Sequence, residues 1–215
     1  MNRIANKPLK HRLFTLASKH ALSQLSSCIG AIDIINEIYD LKRPEEPFFL
    51  SIGHAAPALY VVLESRGGRN ADEVLKDHGV TPEACLECHL DSSSGSLGHL
   101  GIAVGMALAN KQRNVYALIS DAEVTAGTTL EALRIMQELQ LTNLKLYVNV
   151  NGWSGSSQMN PASVVNVLRL YERGLPITVT MADYSDFPFL HGIEGRTLTL
   201  NDEQTKEALA LTTNE

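Results

Sequence analysis

Ser120-Asp121-Ala122-Glu123 and Asn149-Val150-Asn151-Gly152 are two polar turns, and each follows a short apolar run. The first run covers residues 115–119 and the second covers residues 144–150, with a helical segment between them. Asp121 and Asn151 are 30 positions apart. This separation is typical of two turns at the same end of neighbouring parallel strands that a helix connects.

A carboxylate and an amide oxygen would meet at that edge, supplied by Asp121 and Asn151. Mg²⁺ prefers oxygen ligands, and it usually keeps water or phosphate oxygens in the rest of its octahedron. The two turns therefore predict a site for phosphate and Mg²⁺ at the carboxyl edge of a parallel sheet. Two plainer interpretations remain open, because Asp is common at the start of a helix and Asn-Gly is common in turns.

Helical segments alternate with short apolar strands along the chain, which indicates an α/β fold with a mostly parallel sheet. With 215 residues the chain can bury one substantial core, so we expect residues 1–215 to form a single domain. Predicted helices cover residues 9–26, 30–41, 58–65, 72–78, 98–110, 128–139, 162–173 and 202–211, and predicted strands cover residues 48–51, 115–120, 144–150 and 176–181. Residues 80–96 are predicted to be a loop.

The composition argues against two classes of protein, nucleic-acid binders and membrane proteins. A net charge of −6 without any basic run argues against a general nucleic-acid binder. The polar N-terminus has no apolar signal core, and the longest apolar stretches are too short to span a bilayer. We therefore expect a cytoplasmic protein that does not enter the membrane.

The three cysteines are Cys28, Cys85 and Cys88, and an odd, small number argues against a disulfide framework. Cys85-Leu86-Glu87-Cys88-His89 looks like half of a zinc site, but no second cysteine pair follows. We interpret the pair as two reduced thiols near a loop, with a metal or redox role as the alternative.

Three blocks, in this order, resemble the motifs of transketolase-like enzymes, which use thiamine diphosphate. The blocks are Leu50-Ser51-Ile52-Gly53-His54-Ala55-Ala56-Pro57-Ala58-Leu59-Tyr60, then Ser94-Gly95-Ser96-Leu97-Gly98-His99 with residues 101–107, and then the stretch from Asp121 to Asn151. The resemblance runs from about residue 10 to residue 155 and returns weakly at His191-Gly192. It implies a three-layer α/β fold, with helices on both faces of the sheet.

The resemblance also implies the roles of particular residues. Asp121, Asn151 and the backbone carbonyl of Trp153 would bind Mg²⁺. The residues expected to contact thiamine diphosphate are His54, Gly95, Leu97, Asp121, Ala122 and Asn151. The histidines expected in the catalytic centre are His54, His89 and His191.

Enzymes of this family transfer a two-carbon ketol unit from a ketose to an aldose, and they bind the cofactor between two domains. This chain resembles the domain that binds diphosphate and Mg²⁺, and the residues after Asn151 are too few for the pyrimidine-binding domain. The resemblance therefore implies a split transketolase. We expect a pyrimidine-binding partner chain and self-association into a heterotetramer with two copies of each chain.

The chain also departs from the family pattern. Ser120-Asp121-Ala122 replaces Gly-Asp-Gly, Ala126 replaces a glutamate, and Gln24 replaces an early active-site histidine. These departures leave two alternatives open. The chain is a non-catalytic interaction or regulatory subunit that keeps the fold, or it serves another reaction of thiamine diphosphate, such as 2-oxoacid decarboxylation or carboligation.

Overall fold

The computed structural model describes residues 4–93, 99–155, 157–172 and 174–213. The strands are β1 (Phe48–Leu50), β2 (Ser92–Ser93), β3 (Val115–Ser120), β4 (Leu144–Val150), β5 (Trp153–Ser154), β6 (Ser157–Gln158) and β7 (Ile177–Met181). Five of them form a sheet in the order β2-β1-β3-β4-β7, and every neighbouring pair is parallel. β5 and β6 form a separate antiparallel pair.

Ten α-helices accompany the strands within the described ranges. They are α1 (Lys7–His20), α2 (Leu25–Leu41), α3 (Ala56–Ser65), α4 (Ala71–His78), α5 (Leu100–Ala109), α6 (Asp121–Val124), α7 (Gly127–Glu138), α8 (Pro161–Arg169), α9 (Gly192–Thr197) and α10 (Asp202–Thr212). Short 3-10 turns cover Gly53–Ala55 and Pro188–Leu190. Across those ranges, every helix falls short of the length and apolar character that a bilayer-spanning segment needs.

The sheet separates two apolar cores, because successive side chains of a strand point to opposite faces. Phe48 and Leu50 of β1 pack into a core formed with α1, α2, α3 and α4. Phe49 packs into the other core, which is formed with α5, α7 and α8. All six residues of β3 are buried, as expected for a parallel strand that is covered on both faces. The predicted three-layer α/β fold is confirmed.

Several predicted boundaries are wrong. The structure has two helices, ending at His20 and starting at Leu25, where a helix over residues 9–26 and a second from residue 30 were expected. Ala21 and Gln24 adopt left-handed backbone conformations, with φ of 50° and 61°, and these interrupt the helix. The expected loop over residues 80–96 contains β2, and α6, α9 and the β5–β6 pair were not predicted.

Candidate functional site

The carboxyl edge of the sheet collects the turns that follow its central strands. Ser120 lies opposite Asn149 in the pairing of β3 with β4. Asp121 is therefore the first residue beyond β3, and Asn151 is the first residue beyond β4. The structure brings these two residues together, as their spacing predicts.

Asp121 is fully buried and begins α6. Its Oδ2 accepts hydrogen bonds from the backbone N–H groups of Gly152, at 2.7 Å, and Asn151, at 3.0 Å. Its Oδ1 accepts the N–H of Ala122 at 3.0 Å. Burial raises the pKa of the Asp121 carboxyl above its ordinary value, although the three amides act in the opposite direction. The carboxylate is thus held rigidly, but in surroundings that disfavour an uncompensated negative charge.

Asn151 organises the turn after β4. Its Oδ1 accepts the N–H of Trp153 at 2.8 Å, which is the side-chain to backbone bond of an Asx turn. Gly152 has a φ of 81°, a conformation that residues with a Cβ rarely adopt. Its carbonyl accepts the N–H of Met159, at 2.8 Å, so the turn is closed against the residue that follows β6.

The oxygen atoms in this turn fit a hard divalent cation. Counting the described residues, Asp121 Oδ1 and Asn151 Oδ1 each accept one hydrogen bond. Since each of these oxygens has two acceptor positions, one position remains on each residue. One carboxylate oxygen and one amide oxygen are the kind of partial ligand set that Mg²⁺ uses beside phosphate and water.

Glu123 joins the ends of β1 and β3 from beneath the site. This fully buried carboxylate accepts hydrogen bonds from the backbone N–H of Ser120, at 2.8 Å, and from the Ser120 hydroxyl, at 3.2 Å. The hydroxyl of Ser51 donates to its other oxygen. The sequence prediction assigned no role to Glu123, although its place three residues after Ser120 is the signature of a capping box.

His54 lies in the 3-10 turn after β1 and faces the first turn of α2. Its Nε2 is 3.0 Å from the hydroxyl oxygen of Ser27. Burial, and to a smaller extent the charge of Arg196, lower the pKa of His54 below its ordinary value. The imidazole is therefore neutral near pH 7 and keeps both a donor and an acceptor nitrogen.

The start of α2 presents further polar atoms to the interior. Gln24 Oε1 and Ser26 Oγ are buried, and neither has a hydrogen-bond partner among the described residues. The carbonyl of Ser26 accepts the hydroxyl of Tyr184 at 3.0 Å. Burial and the nearby Asp121 carboxylate raise the pKa of Tyr184. Sequence reasoning missed Ser26 and Tyr184, because their contact joins residues 158 positions apart.

Asn149, at the end of β4, is buried against α2. Its Oδ1 also has no hydrogen-bond partner among the described residues. A Cβ placed on Gly30 of α2 would lie only 2.7 Å from Asn149 Nδ2 and 3.3 Å from the Tyr184 hydroxyl. The absence of a side chain at Gly30 therefore allows the helix to approach the sheet at this point.

His191 lies on the rim of the same region, immediately before α9. Its ring meets that of Tyr184 edge-on, with centroids 6.4 Å apart. A Cβ on the adjacent Gly192 would lie 3.8 Å from the indole of Trp153. Arg196 of α9 donates to the carbonyl of Gly155 at 2.6 Å. The structure thus gathers Asp121, the Asn151 turn and His191 along one side of the molecule.

His89 is not part of this assembly. β2 runs parallel to β1, and Asp91, just before β2, accepts the N–H of Phe48 at the start of β1, at 2.8 Å. His89 therefore lies at the amino edge of the sheet, opposite Asp121, and lines a surface cavity with Tyr39 and Asp91. The structure does not bring His89 to the other predicted site residues. Gly95 and Leu97 lie outside the described residues.

Comparison with solved structures supports the architecture. The crystal structure of transketolase from Campylobacter jejuni superposes with a TM-score of 0.69, over 97% of this chain and 43% of that chain. The sequence identity is 18%, so this similarity establishes the fold alone.

Sequence comparison establishes the family. The family model described as 1-deoxy-D-xylulose-5-phosphate synthase matches residues 5–171. The chain belongs to the family of transketolase-like N-terminal domains. It is 36% identical over 149 residues to an uncharacterised transketolase family protein of Sinorhizobium fredii, covering 59% of this chain and 53% of that protein.

This transketolase-like chain is also similar to two enzymes of named activity. It is 30% identical to human transketolase over 69% of its own length, but over only 27% of the enzyme. It is 28% identical to one of the subunits of apulose-4-phosphate transketolase from Phocaeicola vulgatus, over 66% of this chain and 58% of that relative. The matched region is thus little more than half, or less, of each of these relatives.

Proposed function

We propose that this chain binds the diphosphate of thiamine diphosphate through Mg²⁺ at the carboxyl edge of its sheet. The observation that carries the proposal is the buried Asp121 carboxylate, held by the amides of Asn151 and Gly152 beyond the neighbouring strand. Asp121 Oδ1 and Asn151 Oδ1 would be the side-chain ligands of the cation, and the carbonyl of Trp153 would be a third ligand. A cation there offsets the cost of burying an unpaired carboxylate.

Other residues around this edge would contribute to binding through their own chemistry. The neutral imidazole of His54 would donate a hydrogen bond to a phosphate oxygen. Arg196, whose charge already acts on His54, adds a positive charge on the side where the diphosphate would lie. Ala122 lies in α6, in an ordinary helical conformation, so the loss of glycine at this position strains nothing. Its N–H holds Asp121 Oδ1 in place.

The reaction we propose is transfer of a two-carbon ketol unit from a ketose to an aldose. Thiamine diphosphate, when bound, supplies the carbanion chemistry of such a transfer. Gln24 Oε1 and Ser26 Oγ have no hydrogen-bond partner in the part of the chain that the structure describes, and they are suited to hydrogen bonds with cofactor or substrate, since buried polar groups are rarely left unpaired. His191, on the rim, would contact the sugar.

A partner chain completes this proposal. The relative from Phocaeicola vulgatus is named as one subunit of a transketolase, and this chain aligns with more than half of its length. We propose that a pyrimidine-binding partner supplies the second half of the cofactor site, in a heterotetramer with two copies of each chain. The single-domain organisation, the cytoplasmic location and the roles of Gly95 and Leu97 remain predictions.

A second candidate reaction is carboligation of the type named by the family model. The family model bears the name of 1-deoxy-D-xylulose-5-phosphate synthase, and the synthase of Fusobacterium nucleatum is 29% identical over 154 residues. Both reactions would use the same Asp121 site, so substrate assays separate them: ketose donors for transketolase, and a 2-oxoacid donor for the synthase.

Calorimetric titration of thiamine diphosphate with Mg²⁺ tests the binding step. We would titrate the full chain, copurified with a candidate pyrimidine-binding partner chain. We expect saturable binding that is lost in Asp121→Ala and weakened in Asn151→Ala. Asn151→Asp keeps an oxygen ligand and should retain binding, whereas Asp40→Asn, an exposed acid paired with Arg66, should change nothing. A folded complex that binds no cofactor would overturn the proposal and favour a non-catalytic role.

A further inference from the structure

A second cluster of ligand-type side chains lies at the amino edge of the sheet. His78, Cys85 and Cys88 each direct one ligand atom into a shared space, and these atoms all lie within 4.8 Å of one another. The Nε2 of His78 is 3.2 Å from the Sγ of Cys88. Cys88 is buried, while His78 and Cys85 are half-buried. Within the described ranges, this group has three members and lies away from Asp121.

The backbone around the two cysteines has the form of a tight, closed turn. Cys85 donates its N–H to the carbonyl of Leu90 at 2.8 Å, and Leu90 donates back to Cys85 at 2.9 Å. Inside this pair, the N–H of His89 donates to the carbonyl of Leu86 at 3.2 Å, and His89 adopts a left-handed φ of 56°. A residue rarely takes that conformation unless its surroundings impose it. The turn holds both thiols on the side that faces the end of α4.

These separations fit a tetrahedral metal. With Zn–S distances near 2.3 Å and Zn–N distances near 2.0 Å, neighbouring ligand atoms of a tetrahedral zinc lie about 3.3–3.8 Å apart. The observed 3.2 Å between His78 and Cys88, and the 4.8 Å limit for the group, require only small side-chain shifts. Two thiolates and one neutral imidazole would also balance the charge of a divalent cation.

Arg69 approaches the sulfur of Cys88. Nη1 of Arg69 lies 3.3 Å from Cys88 Sγ, and Nη2 of the same guanidinium donates to Asp77 at 2.8 Å. A hydrogen bond to a ligand sulfur, held in place by another side chain, is the kind of outer interaction that orients metal ligands. Sequence reasoning sought a second cysteine pair and missed the third ligand, a histidine on the preceding helix.

We propose that His78, Cys85 and Cys88 bind one Zn²⁺ ion, with water in the fourth position. Binding displaces the thiol protons of the two cysteines to solvent. The ion would fasten residues 79–91, which connect α4 to β2, onto the last residue of α4. It therefore stabilises the connection from α4 to β2, and it takes no part in the chemistry at Asp121.

Metal content and cobalt spectroscopy of the full chain test this proposal. The protein, purified under reducing conditions without chelator, should contain about one zinc per chain, whether or not Mg²⁺ is present. Replacement by Co²⁺ should give the intense visible bands of tetrahedral cobalt, with thiolate-to-cobalt charge transfer. A chelator should lower the midpoint of thermal unfolding, and added Zn²⁺, but not added Mg²⁺, should restore it.

Matched variants identify the ligands. His78→Gln and Cys85→Ser should each weaken Co²⁺ binding at least about tenfold, and Cys85→Ser should reduce the charge-transfer band. His89→Gln, in the same turn but outside the cluster, should leave both unchanged. If Cys88→Ser fails to fold because that residue is buried, the half-buried Cys85 still decides the result. Reduced protein that neither retains zinc nor gives the cobalt spectrum overturns the proposal, as does a Cys85–Cys88 disulfide in the purified protein.

Discussion

The carboxylate of Asp121 accepts the backbone N–H of Gly152 at 2.7 Å, so the end of β3 is joined directly to the turn after β4. Two more amides reach the same carboxylate, but among the described residues no lysine or arginine forms an ion pair with it. Its burial therefore dominates, and its pKa lies above the ordinary value. A bound cation would compensate this charge, which connects the local geometry to the proposed Mg²⁺ site.

The pH dependence of stability without divalent cations follows from this raised pKa. The folded chain holds the proton of Asp121 more tightly than the unfolded chain does. Between the two pKa values, the Asp121 contribution to stability is therefore lost as the pH rises. The free energy of unfolding of the wild type should fall relative to that of Asp121→Asn as the pH rises through and above the ordinary range of an aspartate carboxyl. Urea unfolding of both proteins across that range measures the difference.

Mg²⁺ with thiamine diphosphate should act in the opposite direction and stabilise the wild type more than Asp121→Asn. A ligand that binds only the folded state stabilises it by mass action, so added Mg²⁺ with thiamine diphosphate should raise the wild-type free energy of unfolding. Asp121→Asn should gain much less. A pH-independent difference between the two proteins, or an equal gain from Mg²⁺, would contradict the role assigned to Asp121.

His54 should titrate below its ordinary range, because its imidazole is buried near the charge of Arg196. We expect Arg196→Gln to move its pKa part of the way back upward, since burial, the larger cause, remains. Histidine resonances followed by NMR against pH give both values, and His54→Gln identifies the signal among the seven histidines. Because the pKa of His54 is lowered, the neutral ring contributes stability at pH values above the ordinary pKa of histidine. This contribution is lost as the pH falls.

Lys42→Gln is the control for this measurement, because Lys42 is a cation that packs over Tyr39 in another part of the molecule. It should leave the His54 titration unchanged. If Arg196→Gln and Lys42→Gln shift the His54 signal equally, the effect is one of net charge, and the local placement of Arg196 is wrong.

Much of this site could be predicted from the sequence, because the connection between parallel strands fixes which turns meet. The interval from Asp121 to Asn151 holds the short α6, then α7 and β4, and it returns the chain so that Asn149 of β4 pairs with Ser120 of β3. The motif block around His54 pointed to the same cofactor site. These signals are local in the sequence, and the parallel sheet brings the residues that carry them close together.

The rest depended on contacts that the sequence does not encode locally. Tyr184 meets Ser26 because a loop after β7 folds back over α2, and no periodic pattern marks that contact. His89 lies at the amino edge of the sheet because β2, only two residues long, sets which edge the preceding loop occupies. The partnership of His78 with Cys88 likewise requires the folded path of residues 79–91.

Gly30 lies so close to Asn149 that an added methyl group requires a shift of the neighbouring atoms. The Cβ of Gly30→Ala would lie 2.7 Å from Asn149 Nδ2, so the helix or the amide must move. We expect a loss of about 1–3 kcal/mol in the free energy of unfolding, as for other overpacked cores. Urea unfolding measures this loss.

Gly105→Ala provides the matched control, because Gly105 also lies within a helix but a Cβ there meets nothing within 4 Å. Alanine at that position should be neutral or stabilise the chain by up to about 1 kcal/mol. The double variant Gly30→Ala with Asn149→Ala should recover part of the lost stability. An equal effect of alanine at both glycines would show that helix propensity, rather than crowding, decides the outcome.

Ser51 and Glu123 together should hold the end of β1 against the end of β3. Ser51→Ala removes one donor from a fully buried carboxylate, so we expect a loss of about 1–3 kcal/mol. Ser65→Ala is the comparison, because the Ser65 hydroxyl donates to a backbone carbonyl, that of Val62 in α3, at 2.7 Å, and its removal should cost less stability.

The functional consequence should appear at His54, which follows β1 three residues after Ser51. Ser51→Ala should therefore weaken binding of thiamine diphosphate more than Ser65→Ala does, and equal affinities in calorimetry would show that the tie serves stability alone.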